Sequence, residues 1–298
     1  MERRSASKRP WSDHPRLLPL RRRSVVVDVG IQTAEGYGRH RSGRNAALIA
    51  HYGFLSIFPL ILALTTILGL VLQGRPDLQL RIIDSVFARM PIVGQTIASD
   101  PSELTGSGVV LVFGLLAALW SGLRAFTAMQ FALDDVRELP REQRSNFAQM
   151  RVRALIGVAV IGGALLGTAV LTAVAGAGDF LFINRFLLVA GAFVVNAVTV
   201  GLTFRWLCSV QSTWRDVLPG VIAAGIGFTF MQMFGTTVVL RLIANASPVY
   251  GTFATVIGLF AWLGLHANVA LLSAELNEVL RRRALTPIPD ASPPLPTG

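Results

Sequence analysis

Polar residues thin out along six long stretches of this chain: Ala46–Leu72, Gly108–Phe131, Ala154–Ala175, Phe186–Leu207, Val217–Leu240 and Tyr250–Ala274. Each exceeds about 20 residues, which at about 1.5 Å per helical residue crosses a hydrocarbon layer about 30 Å thick. Backbone N–H and C=O groups in lipid must find partners within their own segment, so runs of this kind predict spanning α-helices. The pattern predicts an all-α, polytopic membrane protein built as a six-transmembrane-helix bundle.

Finer spacing adds detail between and within the runs. In the connection Gln73–Ser107, Leu78, Ile82, Ile83, Val86, Phe87 and Met90 recur at helical spacing until Pro91 stops the pattern. A short amphipathic helix is expected there, lying in the outer interface or capping the bundle. Pro59, midway along the first run, cannot donate to the carbonyl of Leu55 and is expected to kink its helix. Gly163 and Gly167 form a G-xxx-G pair, and Ala197/Gly201 and Ala223/Gly227 repeat the spacing, which suits close helix approach.

Composition agrees with a lipid-solvated bundle: 52% hydrophobic residues, 15% charged and a mean hydropathy of +0.56, against about 25% charged in a typical soluble domain. The single cysteine, Cys208, excludes an intrachain disulfide. The net charge of +10 raises nucleic-acid binding, but the placement of the charge speaks for topology instead. Counting from the N-terminus and alternating sides at each run, 21 Lys and Arg residues fall on the side of the termini and 5 on the other, with Arg124 inside a run. The positive-inside rule places both termini in the cytoplasm of a multi-pass membrane protein. The chain therefore divides into a basic cytoplasmic segment (1–45), a membrane domain (46–283) and a disordered Pro-rich tail (284–298). Residues 1–23 are also expected to be disordered, with the basic segment lying against anionic headgroups. No cleavable signal is evident, because Asp28 cuts short the apolar run Val25–Val27 after Arg21, Arg22 and Arg23.

Polar residues inside the runs are the best clue to function, because placing them in lipid is costly. With the termini inside, His51, Arg124, Arg205, His266, Asn268 and Glu275 all fall in the cytoplasmic half and form a candidate polar layer. Arg124 and Glu275, with His266 between them, are the expected heart of a hydrogen-bonded cluster. The plain alternative is that these groups only satisfy one another between helices. Enzymatic chemistry is not expected. The four histidines, His14, His40, His51 and His266, lack the HExxH spacing of a hydrolytic metal site, and the sole lysine, Lys8, is in no phosphate-binding loop. Ser56 has only Tyr52 as a polar neighbour at helical spacing, which is a poor general base. No catalytic residue, metal or cofactor is expected.

Several stretches together resemble the YihY/BrkB family of bacterial inner-membrane proteins. They are Tyr52-Gly-Phe-Leu-Ser56-Ile-Phe58-Pro59 in the first run, Leu119-Trp120-Ser121 in the second and Trp214-Arg215-Asp216-Val-Leu-Pro219-Gly220 before the fifth. Ser247-Pro-Val-Tyr250-Gly251-Thr-Phe, Trp262 and Ser273-Ala-Glu275-Leu-Asn277 complete the set, and the likeness covers about Asn45–Arg283. His51 departs from the family's aromatic or small residue, and Ser273 from its usual glycine. The resemblance implies six spans and a role of the envelope-integrity or lipid-export type. Members have carried the label ribonuclease BN, to which these residues lend no clustered metal ligands. Two functions are expected as alternatives: a transporter or flippase-like protein for a lipid or amphipathic substrate, or a non-transporting scaffold for envelope proteins. Membrane lipids are the expected partners, with a homo-oligomer or an envelope protein besides, and no nucleic acid.

Overall fold

A computed structural model describes residues 24–71, 108–176, 181–210, 212–235 and 253–285, together with positions 19, 21 and 241. Helix is the only regular structure among them. In chain order the helices are α1 (Val25–Arg39), α2 (Ser42–Val71), α3 (Gly108–Val136), α4 (Phe147–Gly176), α5 (Leu181–Leu207), α6 (Trp214–Phe230) and α7 (Phe253–Leu285). A 3-10 turn, Arg141–Gln143, follows α3, and α6 runs on into a π-helical segment, Met231–Gly235. Five segments are long and apolar enough to cross a membrane: Val112–Val136, Phe147–Ala164, Val189–Leu207, Trp214–Gly235 and Val256–Leu285. The expected helix over 78–90 and most of the tails expected at 1–23 and 284–298 lie outside the described residues, but Ala284 and Leu285 are not tail: they still belong to the last helix.

Helices outlast the apolar runs that announced them. The helix of the first run, α2, starts at Ser42 rather than Ala46, that of the second, α3, extends to Val136 rather than Phe131, and α7 continues from Ala274 to Leu285. Hydropathy marks where lipid begins, whereas the i to i−4 hydrogen bonds continue wherever residues favour them, with Asp, Glu and Arg at the ends. α2 continues as helix through Pro59.

Each long helix rests on the next: α2 on α3, α3 on α4, α4 on α5, α5 on α6, α6 on α7, and α7 again on α2. Six helices thus close a ring, into which α3 leans far enough to touch α5 and α7 as well. α1 lies outside this ring, against α7 and the start of α2. Buried apolar side chains gather at one end. Leu133 and Val136 of α3 meet Phe204 and Leu207 of α5, Val217 and Val221 of α6 and Ala274 of α7. Beside them Ala46, Ala132, Ala267 and Leu271 fit together. This end, which carries α1 and the short α1–α2 and α3–α4 connections, is called the foot.

Glycines let helices meet there, and two of them, Gly201 and Gly227, come from the expected small-xxx-small pairs. A Cβ on Gly220 of α6 would stand 2.7 Å from the Ser273 carbonyl of α7, and one on Gly227 would stand 2.7 Å from Val269 Cγ1. Gly163 meets nothing within 4 Å, so it marks no close approach.

Candidate functional site

The foot is organised around a carboxylate. Glu275 lies on α7 and is 1% exposed, a placement that needs compensating donors. His40 Nδ1 lies 2.9 Å from Oε1 and 3.0 Å from Oε2, and Ser42 Oγ donates to Oε1 at 2.8 Å. Both donors come from the elbow between α1 and α2. Gly36, one turn before His40, makes the approach possible, since a Cβ there would stand 2.5 Å from Glu275 Oε2.

A second carboxylate meets His40 from the other side. Glu138 Oε1 lies 3.1 Å from His40 Nε2. Glu138 follows the last turn of α3 with φ of 52°, and Leu139 N–H donates back to the Asp134 carbonyl at 3.0 Å. That is the six-to-one closure of a helix C-terminus, at a position usually occupied by glycine. The non-glycine residue there carries the carboxylate to His40. Arg39 and Arg282 pair with Glu138 at 3.0 and 3.1 Å. Glu138 is held below the usual carboxylate range, because the His40 hydrogen bond and the two guanidiniums overcome a larger opposing effect of burial. Burial likewise works to lower the pKa of His40, but the hydrogen bonds and charges of Glu275 and Glu138 together outweigh it and hold it above its ordinary value.

Further ties bind α1 along α7. The Tyr37 hydroxyl donates to Asn268 Oδ1, and Asp28 pairs with Arg283 and Arg21. Between the two helices lies a cavity of about 220 Å³, lined by Arg21, Arg39 and Arg282 and by Glu35, Glu275 and Glu278, with His40 among them. Glu278 accepts from Arg281 and Arg282 at 2.7 Å each.

A neighbouring set of bonds fixes the ring itself. Asp134 of α3, 3% exposed, accepts from the backbone N–H of Ser209 at 2.8 Å and from its hydroxyl at 2.6 Å. Arg153 of α4 donates to the Cys208 and Ser209 carbonyls, so α3, α4 and the end of α5 meet at one point. Asn277 Oδ1 of α7 accepts from Gly220 N–H of α6 at 3.1 Å, just after Pro219. Two of the stretches that carried the family resemblance therefore touch.

Of the predicted polar layer, the structure joins some members and separates others. Glu275 and Asn268 are engaged, but by His40, Ser42 and Tyr37 from the chain before the first apolar run. Arg124 does not pair with Glu275. Its side chain is exposed and lies over the Trp120 ring, 5.2 Å from its centroid, because a guanidinium one turn from an indole on the same helix face finds that ring first. His266 does not bridge the two either. Its Nδ1 lies 2.9 Å from the Trp262 carbonyl, and its ring stacks on Phe228. Arg205 lies over Trp214, and His51 is exposed beside Tyr52. Ser56 donates to its own helix, at the Gly53 carbonyl 2.7 Å away.

Sequence reading missed His40, Ser42, Gly36, Glu138 and Asp134. Hydropathy set His40 and Ser42 outside the first run, and the signal that could have found them was the Gly-x-x-x-His spacing just ahead of it. Asn277 and Gly220 were within reach, since both stand in the motif stretches.

Comparison with known proteins places these residues in a wider setting. The family model described as "Virulence factor BrkB" matches residues 33–294. YfkH of Bacillus subtilis (strain 168), named as a ribonuclease-like protein, is 25% identical over 282 residues, covering 86% of this chain and 96% of its own. "Inner membrane protein YhjD" of Escherichia coli (strain K12) is 23% identical over 279 residues, covering 86% and 81%. A "UPF0761 membrane protein" of Alkalilimnicola ehrlichii is 27% identical over 266 residues, covering 86% of this chain and 59% of its own. No solved structure matches.

Proposed function

This chain belongs to the Virulence factor BrkB family, and from that premise we propose that it is an inner-membrane protein of six spans, both termini cytoplasmic, that moves a lipid or other amphipathic molecule between leaflets. α2 supplies the sixth span beside the five apolar helices, and the excess of basic residues on the side of the termini supports the orientation. The printed name of the Escherichia coli relative supports the inner membrane. The observation that carries the transport reading is the ring. Its foot holds a buried apolar cluster tied by polar bonds, and the outward faces of α3, α5, α6 and α7 present large apolar side chains along their length. A path that alternates between two sides of a membrane needs one end shut while the other stays accessible to lipid. The proposal uses no catalytic residue, metal or cofactor.

One observation favours the non-transporting scaffold instead: the foot is bolted by hydrogen bonds that Glu275 and Asp134 accept from Ser42 and Ser209, as a fixed platform would be. Proteoliposomes holding fluorescent phospholipids separate the two readings. Protein-dependent movement of labelled lipid to the other leaflet is expected, and its absence across several headgroup classes would leave the scaffold. Topology is tested by replacing Cys208 with Ser and adding single cysteines at Ser99 and Ser145. An impermeant reagent applied outside should label position 99 and spare 145, and the reverse would overturn the orientation.

A further inference from the structure

His40 stands between two carboxylates with one ring nitrogen toward each, 2.9 Å from Glu275 Oε1 and 3.1 Å from Glu138 Oε1. A neutral imidazole carries one N–H and can donate to only one of them. Glu138 is paired with Arg39 and Arg282, so it stays ionised, and Nε2 must carry a proton to bond it. The short contact on the other side then needs a proton as well, on Nδ1 or on the Glu275 carboxyl. In either arrangement the trio holds one proton more than a neutral histidine between two carboxylates.

We infer that His40 and Glu275 form a proton-binding site that latches α1 onto α7 and shuts the cavity between them, and that loss of this one proton releases α1. Without it His40 has one N–H for two carboxylates, so on either tautomer a ring lone pair faces a carboxylate. On the Glu275 side that carboxylate is 1% exposed and, among the described residues, is left the Ser42 hydroxyl as its side-chain donor. A buried charge that has lost its partner is expensive, so the elements that enclose it separate. α1 can pivot at the elbow, where Arg41 takes a left-handed conformation with φ of 54°. Its other described polar ties are the hydroxyl bond from Tyr37 to Asn268, the part-exposed pair of Asp28 with Arg283 and the exposed pair of Arg39 with Glu138. The charged groups around His40 are Arg39 beside it, Arg21 and Glu35 in the cavity, Glu138 after α3, and Glu275, Glu278 and Arg282 on α7. Carboxylates and guanidiniums ordinarily titrate far from neutral pH, so the histidine–carboxylate pair sets the response. His40 is held above its ordinary value. The latch is therefore complete below about pH 6.5 and is lost as pH rises through the raised value. As the gate of a transport path the latch rests on the proposed function, but it can be measured without any lipid movement.

The test is a spin-label distance between Val26→Cys on α1 and Leu285→Cys at the end of α7, which are 79% and 66% exposed. The full chain, with Cys208→Ser, is held in nanodiscs of phosphatidylethanolamine and phosphatidylglycerol. One short distance is expected at pH 6 and a longer one growing toward pH 9, with the slope of one proton and a midpoint above about 6.5. His40→Gln should remove the pH dependence. Glu138→Gln keeps His40 and Glu275 and should lower the midpoint by about one pH unit or more, which keeps the test decisive if His40→Gln does not fold. An unchanged distance from pH 6 to 9, a pH response that survives in His40→Gln, or an unmoved midpoint in Glu138→Gln would each overturn the latch. Lipid movement plays no part in the readout, so failure of transport and failure of the latch are separate results.

Discussion

At the foot, the α3 residues Ala132, Leu133, Asp134 and Val136 are each less than 5% exposed, while farther along the same helix Val112, Phe113, Leu116 and Trp120 are each more than 50% exposed. On α6 and α5 the contrast is partial, because an outward face stays exposed even at the foot, at Trp214, Leu218 and Trp206, beside the buried Val217, Ala224 and Leu207, while Ile226, Phe230, Val194 and Val198 lie open farther along. The foot half of α3 is the more polar of the two, with Arg124, Gln130, Asp134 and Asp135, so apolarity alone does not set where these helices close. What does is the company of polar groups. In lipid there is little hydrophobic drive to bring apolar helices together, and association rests on close fit and on hydrogen bonds between helices. The foot has both: glycines that admit a neighbouring backbone, and Glu275 and Asp134 with donors from other segments. Farther from the foot, the described interhelical polar contacts thin to Asn196, whose amide meets that of Gln232 at 3.4 Å and donates to the Thr229 hydroxyl at 3.5 Å. Mutation should therefore be costly at the foot and cheap beyond it.

The comparison breaks most visibly at Glu275. Glu275→Ala strips a buried partner from His40 and should cost about 3–5 kcal/mol, read as a loss of unfolding free energy in mixed detergent. Asp134→Ala, which orphans the Ser209 N–H and hydroxyl, should cost about 1–3 kcal/mol in the same assay. Gly220→Ala drives a Cβ against the Ser273 carbonyl, a backbone atom that cannot swing aside, and should cost a further amount of about 1–3 kcal/mol. Beyond the foot, Ile226→Ala and Val198→Ala should each stay within about 0.5 kcal/mol of the parent. Losses there as large as at Gly220 would show that the exposed half is packed by a partner and would erase the contrast.

The smallest effect sharpens the map of the polar groups. Arg124 and Glu275 keep separate partners, so Arg124→Ala and Glu275→Ala should add within about 0.3–0.5 kcal/mol in the double mutant. His40→Ala and Glu275→Ala share a contact, and their double mutant should lose clearly less than the sum. Coupling in the first pair would return Arg124 to the cluster from which its stacking on Trp120 removes it.

Much of the architecture was legible from residue order alone. Runs longer than a bilayer is thick can only be satisfied as helices, so α3 to α7 were foreseeable in number, kind and approximate position. The likeness to a known family was legible too, and its stretches around Gly220 and Asn277 prove to touch. The identity of Glu275 as a buried polar residue was also readable, because a carboxylate near the membrane calls for a partner. Which partner it takes was not. His40 is 235 positions away and lies in a basic segment whose charge suggested contact with anionic headgroups rather than with α7. Only the closing of the ring, which returns α7 to α2 and lays α1 across it, brings the two together. One-dimensional spacing records which residues share a helix face, whereas the choice between Arg124 and His40 depended on how six helices rotate and stack. That is why the helices could be read from the sequence, and why the proton-holding trio at their foot was decided by tertiary structure.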